Sequence, residues 1–569
     1  MTTQNKTNTK ITLILIYSVL FMLFIIARLF YLQIVQSQEL FHLGTRNYTR
    51  VSSIASLRGD ILDSNGFLLA TNRPIFNLYW YGLGQRKLSE DQQKNIESLK
   101  EILPEIITDS LIDNIKSAEH NSKKLLIFAD LDLDQISKLE EIFSSNDNIK
   151  IEKDFKRFYP YQTLASHIIG YLSQANIEAI GKMGLEHILE TELKGQKGKM
   201  VSTINALGKK LSQEEISDAI SGQTIKTTLD IRLQQILELS FPEEYSGSII
   251  IMDPYDGSIK SLLSRPAFNP NIFLKSINHD EWQELQKERP FINRALNASY
   301  PPASIFKLVT ITAGLEEKII EEHTESFCRG YTIFAGRNYH CANKTGHGQL
   351  NIKDAFAKSC NIVFYAIGKR LKIDTLAKYA YQFGLGKKTG IIFQEKDGLI
   401  PTNLWKIQRF GQRWWPGETL SAAIGQSYLL VTPIQIAKMI SSIFTGYQVK
   451  PRILQAEPIE TAELQVKKDT LQFLQSLMKK VVKSGTGQRV NQIHDITIYA
   501  KTGTAQTSSL EKRELGKEFL EHAWFVSYFY YKDHKPLTMV IMIEHSGTTR
   551  LAVNTAKSIL LKYRRMMEN

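Results

Sequence analysis

The most restrictive feature of this chain is a run with no charged residue, ITLILIYSVLFMLFIIA, from Ile11 to Ala27. As a helix rising 1.5 Å per residue it covers about 25 Å of a bilayer core roughly 30 Å thick. The following RLFYLQIV extends it, and Arg28 is long enough to snorkel to the interface. A cleavable secretion signal needs small residues just after its apolar core. Here that place reads ARLFYLQ, which is bulky. Residues 11–35 therefore read as an uncleaved anchor, behind a polar tail, 1–10, that carries Lys6 and Lys10. The charge bias is weak, because Arg28, Arg46 and Arg50 lie beyond the run. The simpler topology leaves the short tail in the cytoplasm and exports the bulk of the chain. No other stretch is long and apolar enough to span.

The chain has 569 residues, 43% hydrophobic and 22% charged, enough for two or more globular domains. Its net charge of +12 suits nucleic acid, anionic lipid or an acidic polymer. It carries no nucleic-acid motif and no basic run interleaved with aromatics, so a membrane surface is the better match and no nucleic-acid partner is expected. Residues 36–85 read as extended, with a bend at Gly59 and a turn at Asp63–Gly66. Residues 86–155 turn rich in Lys, Asp, Glu and Ser with helical amphipathic spacing, as in ISKLEEIFSS, which predicts a small inserted lobe. GQTIKTTLDIRLQQILELS reads as a strand running into a helix. GSIIIMDPYDGSIKSLLSR is a hairpin around Asp256-Gly257. ITIYAKTGTAQ, HAWFVSYFYY and LTMVIMIEH read as three further strands, and NTAKSILLKYRRMM as a closing helix. Strands at both ends with a mostly helical middle predict an α+β domain, an antiparallel sheet with helices packed on it.

Candidate chemistry begins at PPASIFKLVT, 301–310, where Ser304 precedes Lys307 by three positions at the mouth of an apolar helix. Pro301 and Pro302 suit a chain about to start a helix. Residues i and i+3 share a helix face, so the two side chains are neighbours. One reading makes Ser304 a helix cap and Lys307 a solvated charge. The other is chemical: a serine hydroxyl is a weak nucleophile until a base lies within hydrogen-bond reach. An ordinary lysine is charged near neutrality, but burial and a second nearby cation both disfavour its charged form. The helix N-terminus favours negative charge developing on the serine. Two further motifs favour the chemical reading. KSCN, 358–361, in the helical stretch DAFAKSCNIVFYAIG, offers the hydroxyl of Ser359 and the amide of Asn361, two residues apart. KTGT, 501–504, ends the alternating strand ITIYA and offers Lys501, Thr502, Thr504 and, in Gly503, room for close backbone approach. Ser-x-x-Lys, Ser-x-Asn and Lys-Thr-Gly, in that order on helix, loop and strand, are the trio of serine β-lactamases and penicillin-binding proteins.

With these residues the chain resembles the class B penicillin-binding proteins, and within them the branch that serves cell elongation. The resemblance runs almost the full length: the anchor, RGDILDSNG, RFYPYQTLASHIIGYL, IIMDPYDG, NRALNASYPPASIFK, GHG at 346–348, WWPGETLSAAIGQSYLLVTPIQIA and AKTGTAQ. It implies a mixed α/β, dimerisation-like pedestal without catalytic groups at 36–230, with the lobe at about 86–155, then a β-lactamase-like transpeptidase domain at 231–569. The implied activity is a D,D-transpeptidase that cross-links peptidoglycan stem peptides, releases D-alanine and is acylated by β-lactams. By motif, the resemblance makes Ser304 the nucleophile and Lys307 its base. Ser359 relays a proton toward the leaving D-alanine, and Asn361 binds the donor peptide. Lys501 tunes the field, while Thr502, Gly503 and Thr504 hold the substrate carboxylate and strand. The oxyanion hole is expected from the backbone N–H groups of Ser304 and Thr504. The implied partners are a polytopic SEDS-type glycan polymerase and other elongation-complex proteins, and the implied place is the inner membrane with the bulk periplasmic. Catalysis needs no cofactor: the D-Ala–D-Ala amide carries the bond energy, and the chain has no GxxxxGK[ST].

Three departures from the family pattern stand out. Ala303 replaces the usual glycine before the serine, Ile305 a frequent threonine, and Ser64 a common arginine in Asp63–Gly66. A β-lactamase would need a deacylating base, which cannot be picked out, and a β-lactam sensor would need a signalling domain or several spans. The septal transpeptidase of the same class is the nearer alternative; GHG, WWPGET and the cluster described next favour elongation.

Cys328, Cys341 and Cys360 are the only cysteines, and His347 lies among them. A Cys328–Cys341 disulfide suits an oxidising compartment but leaves Cys360 over. Three unrelated buried thiols are a second reading. A Cys3His structural zinc site uses all four groups, and relatives that the chain resembles place metal ligands here. His340 is the alternative imidazole ligand.

Overall fold

The computed structural model describes residues 2–54, 56–173, 179–204, 210–275, 277–507 and 514–568. They form two compact units. One comprises Met1–Arg58, Asn72–Lys156 and Lys194–Gly222, the other Gly59–Thr71, Arg157–Leu193 and Gln223–Asn569.

In the first unit a helix runs over Thr2–Phe30, passes through a π-helical turn, Tyr31–Val35, and resumes over Ser37–Tyr48. Lys10–Val35 is long and apolar enough to cross a membrane, about 39 Å of helix. Its apolar side chains lie open, Ile14 at 64% and Phe24 at 69% exposure. The expectation of extended chain from residue 36 is wrong at its start, since a strand begins only at Thr49. Ser37–Tyr48 holds no valine or isoleucine, and it continues a helix already nucleated, so each added residue gains a hydrogen bond without a new nucleus. Thr49–Ile54, Gly198–Ile204 and Lys210–Ser217 form a three-stranded antiparallel sheet.

The lobe has its helices at Glu90–Ile102, Asp109–His120 and Leu133–Phe143, each started by a side-chain cap, Ser89, Thr108 and Asp132. Sequence spacing missed its strands, Lys124–Phe128 and Ile149–Phe158. The apolar faces of the helices close on Leu78, Trp80, Leu99, Ile115, Leu139 and Phe143. Buried Glu119 accepts from the Trp80 indole, the Leu83 amide and the Asn148 side chain at 3.0–3.1 Å.

The second unit is built on a five-stranded antiparallel sheet. Its strands are β1 (Gly247–Met252), β2 (Ile259–Arg265), β3 (Ile496–Ala505), β4 (His522–Tyr531) and β5 (Leu537–Ile543), in the order β2-β1-β5-β4-β3. Successive side chains alternate between two cores. Ile250, Met252, Trp524, Val526, Val540 and Met542 face one; Ile249, Ile251, Phe525, Phe529, Met539 and Ile541 face the other. Burial on both faces is why these strands read as apolar runs. The first core is completed by the helical middle of the chain, including α1 (Lys307–Glu316), α2 (Asn361–Arg370) and α3 (Lys468–Ser484). The second is covered by Ile231–Glu238 and α4 (Thr549–Glu568). The expected hairpin is present: Gly257 turns at φ +74°, where a Cβ would stand 2.1 Å from the Lys450 carbonyl oxygen. The expected α+β class, with an antiparallel sheet flanked by helices, is borne out. The helical middle also holds four short strands between Glu325 and Asn351, which sequence spacing missed.

Of the two reversals expected in the chain before this sheet, the turn at Asp63–Gly66 is formed, whereas the bend expected at Gly59 is not: Gly59 lies in irregular chain, held without a bend by its partners. Asp63 Oδ1 accepts from the amides of Asn65 and Phe67 at 2.7 and 2.8 Å, with Gly66 at φ +91°. Gly59 donates its amide to Leu193 and accepts from Arg157 Nη1. Ser64 needs no side-chain role in that turn, because Asp63 supplies its acceptors.

Candidate active site

Ser304 lies in a 3-10 turn, Ala303–Ile305, that leads into α1. The cap positions of this turn and of α1 are taken by Pro302 and Phe306, so the serine does not stand where a helix cap would. Its hydroxyl instead meets that of Ser359, Oγ to Oγ 2.8 Å. Ser359 sits at φ +53° in the short loop between Ile352–Ala357 and α2, which turns its side chain back toward the nucleophile turn. Lys307 Nζ donates to Ser359 O (2.9 Å), Ser359 Oγ (3.2 Å) and Asn361 Oδ1 (2.9 Å). Lys501 Nζ reaches the same Ser359 Oγ at 3.3 Å and the Thr502 carbonyl at 3.0 Å. The five residues singled out as catalytic in the sequence thus meet at one point. The hub is Ser359: Lys307 reaches Ser304 through its hydroxyl.

Both lysines are fully buried, at 0% exposure, and their hydrogen-bond partners are neutral oxygens. Burial pushes Lys307 down to about 7, against a smaller opposing effect of the Cys360 and Cys341 thiols. Burial, then the charge on Lys307, holds Lys501 well below the ordinary lysine value. An uncharged amine within one hydroxyl of Ser304 is therefore accessible near neutral pH.

Strand β3 is the open edge of the sheet and carries Thr502, Gly503 and Thr504. Thr504 is exposed, and its carbonyl accepts from Gln426 Nε2 at 3.3 Å. Gly503 is packed from below: a Cβ there would stand 3.3–3.4 Å from Ile305 Cγ1, Ala303 Cβ and Trp524 Cβ. The departures at 303 and 305 thus tighten the floor under the KTGT strand. Ala303 adopts φ +49°, the left-handed region that glycine enters more easily, and its amide is held by the Gly425 carbonyl at 2.9 Å. The Trp524 indole donates to the Pro301 carbonyl at 3.0 Å. Sequence reading did not single out Gln426 or Trp524; their only local signal is membership of the quoted segments around GQS and HAW.

Cys328, Cys341, His347 and Cys360 also converge. One donor atom from each lies within 4.8 Å of every other. His347 Nδ1 is 3.6 Å from Cys328 Sγ and 3.5 Å from Cys341 Sγ, and the Cys341 and Cys360 sulfurs are 3.9 Å apart. All three thiols are free, so the disulfide alternative is not formed; a bond would need about 2.05 Å between sulfurs. Tetrahedral zinc with bonds of about 2.0–2.3 Å places its ligands roughly 3.5–3.8 Å from one another, and the donor set fits that ion. His340 stays outside the cluster, its carbonyl accepting from Asn361 Nδ2 at 3.4 Å. Tight glycines let the loop close: a Cβ on Gly330 would lie 2.1 Å from the Lys344 carbonyl oxygen, and one on Gly346 2.3 Å from that of Cys328. Hydrogen bonding with Cys360 and backbone amides favours the thiolate on Cys341, while Cys341 and burial hold Cys360 protonated.

The sequence model of the penicillin-binding protein transpeptidase domain matches residues 247–561, more than half the chain, with all these motifs inside it. The chain belongs to the penicillin-binding protein transpeptidase family. The penicillin-binding protein dimerisation domain matches residues 53–227. Among curated relatives, the peptidoglycan D,D-transpeptidase MrdA of Haemophilus influenzae is 29% identical over 94% of this chain and 88% of its own length. Among solved structures, PBP2 from Helicobacter pylori in complex with MreC is similar at TM-score 0.80 and 28% identity, covering 92% of this chain and 100% of that one. A chain of a peptidoglycan synthase complex that coordinates polymerization and crosslinking is similar at TM-score 0.75 and 27% identity, with 98% of each chain covered.

Proposed function

We propose that this penicillin-binding protein is a peptidoglycan D,D-transpeptidase of the elongation type, and that Ser304 is its acylated nucleophile. The observation that carries the reading is the hub at Ser359, whose hydroxyl touches Ser304 on one side and two buried lysines on the other. Similarity to MrdA and PBP2 over most of the chain supports elongation rather than septal division.

In the first half-reaction Ser304 Oγ attacks the carbonyl carbon between the two D-alanines of a donor stem peptide. Its proton passes through Ser359 Oγ to neutral Lys307. The backbone N–H groups of Ser304 and Thr504 hold the oxyanion. The amide C–N bond breaks, and the leaving D-alanine nitrogen takes the proton back through Ser359. The amine of a second stem peptide then attacks the ester and gives its proton to Lys307, and Ser304 is regenerated. Asn361 holds the donor peptide and anchors Lys307, and Lys501 keeps the Ser359 hydroxyl aligned while disfavouring charge on Lys307. Thr502, Gly503 and Thr504 hold the substrate carboxylate and strand. A β-lactam enters the same path and stays as the acyl ester.

Cys328, Cys341, His347 and Cys360 would hold a structural zinc. When bound, the ion supplies rigidity, cross-linking the 325–350 segment to Cys360, beside Ser359 and Asn361. Residues 1–10 form a cytoplasmic tail, 11–35 the single inner-membrane anchor, 36–230 the pedestal with its lobe, and 231–569 the catalytic domain in the periplasm. Likeness to chains from the complexes above supports a polymerase and elongation-complex proteins as partners.

Radiolabelled penicillin should yield a covalent adduct that maps to the Ser304 peptide and disappears in Ser304→Ala; an adduct on another residue would refute the reading. Purified chain should hold about one zinc per molecule, and chelation should lower both the metal content and the melting temperature; metal-free protein of full stability and activity would exclude the site.

A further inference from the structure

Thr486 lies just past α3, in the Ser484-Gly485-Thr486-Gly487 turn, and sequence reading assigned it nothing. Its Oγ1 is 2.6 Å from Thr502 Oγ1. The two hydroxyls differ in access. Thr502 is buried, at 3% exposure, whereas Thr486 is exposed. The turn is fixed against the nucleophile side of the site: Thr486 donates its amide to the Ala357 carbonyl, two residues before Ser359, at 3.3 Å. Gly485 allows that approach, since a Cβ there would lie 2.5 Å from the same carbonyl oxygen. Thr486 therefore stands at the open edge of β3 between the KSCN loop and the KTGT strand.

A hydroxyl pair at 2.6 Å shares one hydrogen bond and leaves one O–H free to donate elsewhere. If Thr486 donated to Thr502, the free O–H would be the buried one. If Thr502 donates to Thr486, the free O–H belongs to the exposed residue and is available to an arriving anion. We propose that Thr486 is a substrate-binding residue: its hydroxyl, oriented from behind by Thr502, donates to the carboxylate of the stem peptide or of a β-lactam. This rests on the reading above, in which the KTGT strand receives that carboxylate, and it adds a member from a different element. Thr502 then serves the carboxylate indirectly, by orienting Thr486, and Thr504, exposed two positions along the same strand, is the second direct donor. Acceptance by a charged carboxylate makes the Thr486 bond stronger than one between neutral groups.

The test uses the full-length chain in detergent and two probes, benzylpenicillin as its free carboxylate and as its uncharged methyl ester. Thr486→Val should slow acylation by the carboxylate about tenfold and leave the methyl ester within about twofold of the parent rate. Thr486→Ser should restore the carboxylate rate. Parent-like acylation by the ester also certifies that the variant is folded. An equal loss with both probes, no loss with either, or a serine variant as slow as the valine variant would overturn the assignment. Thr502→Val, run alongside, separates the failures. An unchanged acid-to-ester ratio there defeats the carboxylate reading of the KTGT strand and this inference with it. A collapsed ratio there, with none in Thr486→Val, defeats the Thr486 assignment alone.

Discussion

Two buried cationic centres in the second unit are built in opposite ways. Arg157 is at 2% side-chain exposure and meets Glu186 at 0%, Nε to Oε1 2.7 Å, with Gly59 O accepting from Nη1. Lys307 and Lys501 are as deeply buried, yet their acceptors are hydroxyl, amide and carbonyl oxygens. A guanidinium stays protonated wherever it is placed, so burying one calls for a carboxylate. An ammonium can shed its proton, and burial without a counter-charge makes it do so. The first arrangement holds the fold together through a paired charge. The second, one hydroxyl away from Ser304, holds a base.

Exchanging the two kinds of cation breaks the contrast most sharply. Lys307→Arg keeps a positive charge that cannot leave, and acylation of Ser304 by penicillin should fall by about 10³-fold, read from the rate of adduct formation. Retention of even a tenth of the rate would mean that proton transfer does not pass through residue 307. Glu186→Gln leaves Arg157 buried beside a neutral partner and also weakens the bond from the Tyr159 hydroxyl to Glu186. Unfolding should become easier by about 3 kcal/mol in denaturant titration, while the folded fraction is acylated at the parent rate. His167 gives a smaller test of burial without a counter-charge. Its Nε2 faces the Pro290 carbonyl at 2.6 Å, and burial pushes it down to about 4. The unfolded chain takes up this proton near pH 6.5 and the folded chain resists until about 4. Its contribution to stability therefore falls as pH drops through that window, by about 1.4 kcal/mol per unit. Melting curves of His167→Gln should lack this part of the acid sensitivity.

How much of this was visible beforehand varies with the range of the interactions involved. The strands of the central sheet were legible because both faces are buried, so IIIM and LTMVIMI carry their burial in composition. The catalytic side chains were legible because reactivity restricts residue type: Ser304, Lys307, Ser359, Asn361 and Lys501 stand in recognisable triplets. Their connectivity was not. The Ser304–Ser359 contact joins residues 55 positions apart, so the spacing from Ser304 to Lys307 suggested a direct pair where the fold interposes a hydroxyl. The helix at Ser37–Tyr48 was misread because its stability comes from continuity with the apolar helix before it rather than from its own pattern. The lobe strand Lys124–Phe128 is short and half-exposed, which leaves little periodicity to read. The four-group cysteine cluster was legible as a set, yet spacing alone could not separate a disulfide from a shared centre; that needed the 3.9 Å between the Cys341 and Cys360 sulfurs. Thr486 carried no signal, because its hydroxyl acquires meaning only against Thr502 on another element.

The central claim, that an uncharged Lys307 drives acylation of Ser304, meets its most direct test in the pH dependence of the second-order rate constant for Ser304 acylation by penicillin. With Lys307 pushed down to about 7, the rate should climb close to tenfold per pH unit below that value, as the amine loses its proton, and level off above it. A rate still climbing toward pH 10, the behaviour of an ordinary solvated lysine, or one independent of pH across the range, would contradict the account.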